Sequence, residues 1–268
     1  MQPAIKMALR TARQSGDFLK DRFERLEPAT TKPDQTLKML HTIEETLHEH
    51  TVEALQRAYP EHHILPPGES DAGDAAQSWH VFPLLGQQNF ARGLPDFTTA
   101  LLQKRDNRAE NLVLIAPMTG EEYAASRGYG ATLNSRRMRG RQAQHLDQTL
   151  LSSSLQTQAN NGGDDSIWQD MAGELIRAGA ALRYSGCPSL DLARAAAGNL
   201  DGAIIAPSDA TDILIGSLLA QEAGLLSGDA RGNPLSQRSR EIVIANSAIF
   251  REIMKRFSPY RQRLGSNA

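Results

Sequence analysis

The chain has 268 residues, 40% hydrophobic and 22% charged, with a formal net charge of −2. Such a chain can bury a large core, as one large domain or two closely packed halves, and it has no global attraction to nucleic acid or an anionic membrane. The 5% aromatic content argues against a base-stacking platform, the lone Cys187 rules out an internal disulfide and fits a reducing, cytoplasmic compartment, and neither a signal-like N-terminus nor an apolar run near ~18 residues is present.

Residues 3–26 carry apolar side chains at helical spacing: Ile5, Ala8, Leu9, Ala12, Phe18, Leu19 and Phe23. A loop over 27–33 holds two prolines. A second helix is expected from Leu37 or Thr42 to Tyr59, with Pro60 ending it. His62–Leu65 reads as a short strand, followed by a turn-rich acidic loop over 66–74. Trp79–Phe90 reads as a buried strand, a Pro-Leu-Leu-Gly turn and a polar step into a helix or loop. Strands are expected at 97–104 and 111–116, then a Pro-Met-Thr-Gly hairpin turn into Glu122–Ser126. Gly128–Asn134 is expected to form a tight bend before a basic segment.

The second half alternates strands and helices. Strands are expected at 149–154, 182–184, 201–206, 225–229 and 242–245. Helices are expected at 166–178, 189–197, 211–223 and 249–257. Alternation of this kind indicates layered α/β packing. A soft boundary is expected near 140–150, dividing an N-terminal α+β half, residues 1–145, from a C-terminal α/β half, residues 146–268, within one compact unit.

The stretch Trp79-His80-Val81-Phe82-Pro83-Leu84-Leu85-Gly86-Gln87-Gln88-Asn89-Phe90 resembles the W-(V/I)-I-D-P-(L/I)-D-G-T-T-N-F signature of the inositol monophosphatase family. Further segments resemble that family in the same order. They are Ala116–Glu122, Gly128–Asn134, Arg183–Ala193, Ala197–Gly202 and Asp212–Gly224. The resemblance implies an αβαβα five-layer sandwich, usually dimeric, and an Mg²⁺-dependent phosphatase ancestry. It extends to a bacterial branch whose members act as accessory factors in transcription antitermination.

The functional positions depart from the family pattern. The two motif Asp that hold Mg²⁺ fall on Phe82 and Leu85, and the Thr that positions water falls on Gln87. The metal-binding Glu of the acidic loop falls on Pro67. The Asp that helps to activate water falls near His41. A sugar-contacting Glu falls on Ile205, and a substrate-contacting backbone amide falls on Pro188, which has no N–H. Asp212 keeps the family's carboxylate. It reads either as a metal-site remnant or as the N-cap of a helix beginning at Ile213.

Metal-assisted ester hydrolysis needs Mg²⁺ held by hard oxygen ligands, and Phe82 and Leu85 offer none. The expectation is a catalytically degenerate member of the family with a binding or regulatory role and no cofactor. The alternative is an Mg²⁺-dependent inositol or sugar phosphate phosphatase with a relocated site built from Glu69, Asp71 or Asp212. Gly86, Gln87, Gln88 and Gly186 are candidate anion contacts through amide donors. Arg127, Arg136, Arg137, Arg139 and Arg141 are candidate contacts to a transcription-machinery protein or RNA, against the plainer reading of a solvated basic hairpin. A homodimer is expected, and no membrane.

Overall fold

The computed structural model describes residues 3–27, 32–65, 77–106, 108–155, 166–206, 209–236 and 239–265. Its first helix, α1 (Pro3–Glu24), buries Ile5, Ala8, Leu9, Ala12 and Leu19, the stripe that its spacing predicts. The second, α2 (Pro33–Ala58), buries Ile43, Leu47, Thr51 and Leu55 at four-residue intervals. It starts earlier than the periodicity suggests. Pro33 occupies the first helical position, where a missing N–H costs nothing and the fixed φ is already helical. The Gln35 side chain turns back to accept a hydrogen bond from the Lys32 N–H at 3.2 Å. Proline here opens a helix rather than prolonging a loop.

The two helices cover one face of a seven-stranded sheet. Its strands are β1 (His63–Leu65), β2 (Gln77–Leu85), β3 (Thr98–Arg105), β4 (Arg108–Ala116), β5 (Glu121–Ser126), β6 (Gly130–Leu133) and β7 (Arg136–Arg137), lying in that order. β1 and β2 are parallel and every other neighbour is antiparallel. Trp79, Val81, Leu101, Val113 and Ala124 pack against α1. Beyond them on that face runs a buried polar chain. Gln103 donates to Gln77, Asn111 donates to Gln103 at 2.7 Å, and Ser126 donates to Asn111 at 2.5 Å.

Gly128–Asn134 is not a simple bend. Its start is the turn between β5 and β6, where Gly128 has φ 77° and the Tyr129 N–H donates to the Ser126 carbonyl at 2.9 Å; it then contains β6, and a second turn follows at Asn134 and Ser135, which have φ of 49° and 64°. Two consecutive residues at positive φ are what a two-residue hairpin of the right twist requires.

The chain divides into two compact units, Met1–Arg137 and Met138–Ala268. The second is built on a five-stranded sheet. Its strands are β8 (Leu150–Ser153), β9 (Ala181–Arg183), β10 (Gly202–Ile205), β11 (Leu226–Gly228) and β12 (Ile242–Ala245), ordered β11-β12-β10-β8-β9. β8 is parallel to both β9 and β10, while β12 is antiparallel to β10 and β11. Helices α4 (Ser166–Arg177) and α7 (Ser247–Phe257) contribute Met171, Leu175, Ile253 and Phe257 to one core. Helices α5 (Pro188–Ala196) and α6 (Ala210–Ala223) contribute Leu192, Ile213 and Ala220 to another, with Ile205 and Ile242 from the sheet. Gly224 ends α6 in the left-handed conformation at φ 76°.

Candidate functional site

The signature stretch is the end of β2 and the short helix α3 (Gln87–Ala91). The pairing of β2 with β3 shifts register between Phe82 and Leu85, so the strand bulges at Pro83. Alternation places Phe82 on the face opposite Trp79 and Val81, and it is 6% exposed. Its carbonyl accepts from the Thr99 hydroxyl at 3.2 Å. After the bulge Leu84 turns into a cluster with Leu19, Ile43, Leu47, Phe90 and Phe97. Leu85 is half-buried. Gly86 then adopts φ 83°, a conformation a side chain would strain, and opens α3.

The polar residues of the stretch are mostly committed locally. Asn89 is buried and donates to the Asp96 carbonyl at 2.7 Å, and Phe90 meets Phe97 edge-on at 5.0 Å. Gln87 and Gln88 are exposed. The Gln87 amide donates to the Glu44 carboxylate on α2. An anion at Gln87 would therefore meet a carboxylate already holding that donor. His41 is exposed on α2 and lies 3.1 Å from Glu45, one turn on, in a solvated pair. Pro67, Glu69 and Asp71 lie outside the described residues.

In the second unit the turn before α5 gathers buried polar groups around Asp191, which is fully buried. One carboxylate oxygen accepts from the Ser152 hydroxyl at 2.7 Å and from the Ser185 N–H at 3.0 Å. Burial pushes its pKa up, against the pull of those donors and the Arg183 charge. Cys187, also buried, stands at the N-cap of α5 with its Sγ 3.5 Å from the Ser189 hydroxyl, and its N–H donates to the Ser185 hydroxyl at 3.1 Å. Gly186 lies between them at φ 83°. Pro188 is the first residue of α5. The Tyr184 hydroxyl is pushed up to about 12, by burial first and then by the charges of Asp212 and Asp191.

Asp212 is not the helix cap. The cap is Asp209, whose carboxylate accepts from the Asp212 N–H at 2.9 Å, and Asp212 stands inside the first turn of α6. The D-x-x-D spacing was the available signal: the first of two acids three residues apart is the one placed to cap. Burial pushes the Asp212 carboxyl up to about 8, with the Asp209 charge adding and the Asp209 N–H opposing.

The basic run resolves into different kinds of residue. Arg127 is pinned by its Nε–H to the Ala109 carbonyl at 2.8 Å. Arg141 lies 3.3 Å from the buried Asp201 carboxylate. Arg136, Arg137 and Arg139 are exposed, the first two on the edge strand β7. Among the described residues no helix is long and apolar enough to cross a membrane, and no three His, Cys, Asp or Glu side chains come together as a metal site would need.

One α/β unit thus carries a bulged strand that runs through a left-handed glycine into a short helix, and the other has its own five-stranded α/β sheet. The chain belongs to the inositol monophosphatase family, whose model matches residues 1–262. It is 31% identical over 264 residues to the Nus factor SuhB of Pseudomonas aeruginosa, covering 97% of each chain. It is 28% identical over 256 residues to the Nus factor SuhB of Escherichia coli K12, covering 95% of each. The extragenic suppressor protein suhB of Bartonella henselae superposes with a TM-score of 0.82 at 21% identity, over 96% of this chain and 100% of that one. The inositol monophosphatase of Anabaena sp. PCC 7120 superposes at 0.79 and 21% identity, over 95% of each. The mixed α/β fold is that of the inositol monophosphatases.

The family's Mg²⁺ can be tested against the residues that stand here. Phe82 and Leu85 have no side-chain oxygen, and the Glu44 carboxylate accepts from the Gln87 amide. These described residues do not fit the ion.

Proposed function

We propose that this chain is a non-catalytic member of the inositol monophosphatase family that works by binding, as a cytoplasmic accessory factor in transcription antitermination. The observation that carries the reading is the hydrocarbon of Phe82 and Leu85 at the turn where the family resemblance expects two carboxylates. Its relatives' name, Nus factor, supports the direction. The exposed arginines Arg136, Arg137 and Arg139 supply the contact to an RNA or acidic protein of the transcription machinery. A homodimer, usual in the family, completes the proposal.

The test has two arms. Phosphate release from inositol 1-phosphate with and without Mg²⁺ should stay at the no-enzyme rate. Terminator read-through on a ribosomal RNA template should fall in an extract lacking the protein and recover with wild-type protein. It should not recover with the combined Arg136→Glu, Arg137→Glu and Arg139→Glu variant. Mg²⁺-dependent release that vanishes in Asp212→Asn would instead establish a phosphatase with a relocated metal site.

A further inference from the structure

The C-terminal part of α1 and the N-terminal half of α2 border a groove of about 370 Å³. Phe18, Met39 and Ile43 supply its apolar lining, and Phe18 and Met39 are still partly exposed. Arg22 on α1, Arg25 just past its end and Lys38 on α2 line it as well. Arg25 is paired with Asp21 one turn back on α1. Arg22 lies over the Phe18 ring, 4.9 Å from its centroid. Among the described residues no carboxylate pairs with Arg22 or Lys38. An apolar trough between two helices thus has uncompensated positive charge on both banks, in a chain whose net charge is −2.

We propose that this groove docks an acidic amphipathic helix from a partner protein. An apolar stripe laid between two helices is a common helix-in-groove mode, read by anchors at i, i+3 or i+4, and i+7. The volume takes the tips of one or two such anchors. Carboxylates flanking the stripe on either side would meet Arg22 on one bank and Lys38 on the other. That two-sided arrangement favours a helix over a small anion, for which cations would converge on one point. The site is distinct from the Arg136–Arg139 run and does not rest on the loss of catalysis.

The probe is a fluorescein-labelled 15-residue helical peptide with leucines at i, i+3 and i+7 and glutamates on both flanks, followed by anisotropy against the full chain. Binding to the wild-type protein should weaken at least tenfold in the combined Arg22→Glu and Lys38→Glu variant. It should weaken similarly in Thr42→Trp, which places an indole in the groove from an exposed helical position. Both changes lie at exposed sites, and unchanged circular dichroism would confirm the fold. A glutamine-for-glutamate peptide should bind weakly, and binding should fall with salt. Equal affinity for all three proteins, no binding of the acidic peptide at 100 micromolar, or displacement by octanoate of a peptide insensitive to both variants would overturn the proposal.

Discussion

Asp212 is half-buried by surface exposure, yet its carboxyl is pushed up to about 8 from an ordinary value of 3.8. A carboxyl that holds its proton more tightly in the folded chain stabilises the fold below the unfolded pKa, and that contribution is lost as pH rises through the folded one. The loss therefore runs from about pH 4 to above pH 8. Asp212→Asn keeps the shape and removes the titration. We expect the variant's unfolding free energy to be the flatter function of pH, with the difference in its favour growing from pH 5 to pH 8.5. Asp191, also raised by burial, titrates in both proteins, so the difference curve isolates Asp212. Urea titrations at pH 5, 7 and 8.5 supply it, and a difference that does not grow with pH would sink the assignment. What was legible at this scale was residue type. Phe82 and Leu85 were visibly hydrocarbon, whereas the protonation preference of Asp212 depends on surroundings that no spacing reveals. Likewise Asp191 could be read as part of a motif, but its bond to Ser152 reaches a residue far off in the chain.

At the scale of elements, periodicity located the helices and strands, and local chemistry set their ends. Pro33 shows how a proline read as loop can begin a helix, and Asp209 shows how the nearer acid can be mistaken for the cap. The two acids of α6 should separate cleanly by mutation. Asp209→Ala removes the acceptor for the Asp212 N–H and should cost about 1 kcal/mol at pH 7. Asp209→Asn keeps an acceptor and removes the charge that helps to raise Asp212, so it should cost less than the alanine change. Equal losses from both, measured as urea midpoints at constant slope, would mean that the side chain does not cap. The edge hairpin behaves by the same logic. Gly128 and Gly130 announced the turn between β5 and β6, but a second turn sits at Asn134 and Ser135, where the Asn134 side chain also accepts from the Glu122 N–H at 2.8 Å. Asparagine tolerates the left-handed conformation, which makes its meaning positional rather than compositional.

Across the whole molecule, the two units each have their own sheet and their own buried clusters, and the motifs that carry the family resemblance fall in both. Scaffold and chemistry are therefore separable. Gly86, Asn89, Phe90 and Gly224 serve the backbone and the core, whereas the side chains of Phe82 and Leu85 are hydrocarbon. Linkage turns this into a measurement that includes every residue of the chain. A cation bound only by the folded state adds RT ln(1 + [L]/Kd), about 1.4 kcal/mol at ten times Kd. For domains of about 150–250 residues each kcal/mol moves the melting temperature by roughly 2–4 °C. A site with an Mg²⁺ affinity near 1 millimolar would thus raise the midpoint by several degrees at ~10 millimolar MgCl₂. With Phe82 and Leu85 supplying no oxygen, we expect a rise under about 1 °C against NaCl of equal ionic strength. A larger Mg²⁺-specific rise, absent in Asp212→Asn, would place a metal at that carboxylate, and a rise that survives the substitution would point to ligands elsewhere in the chain.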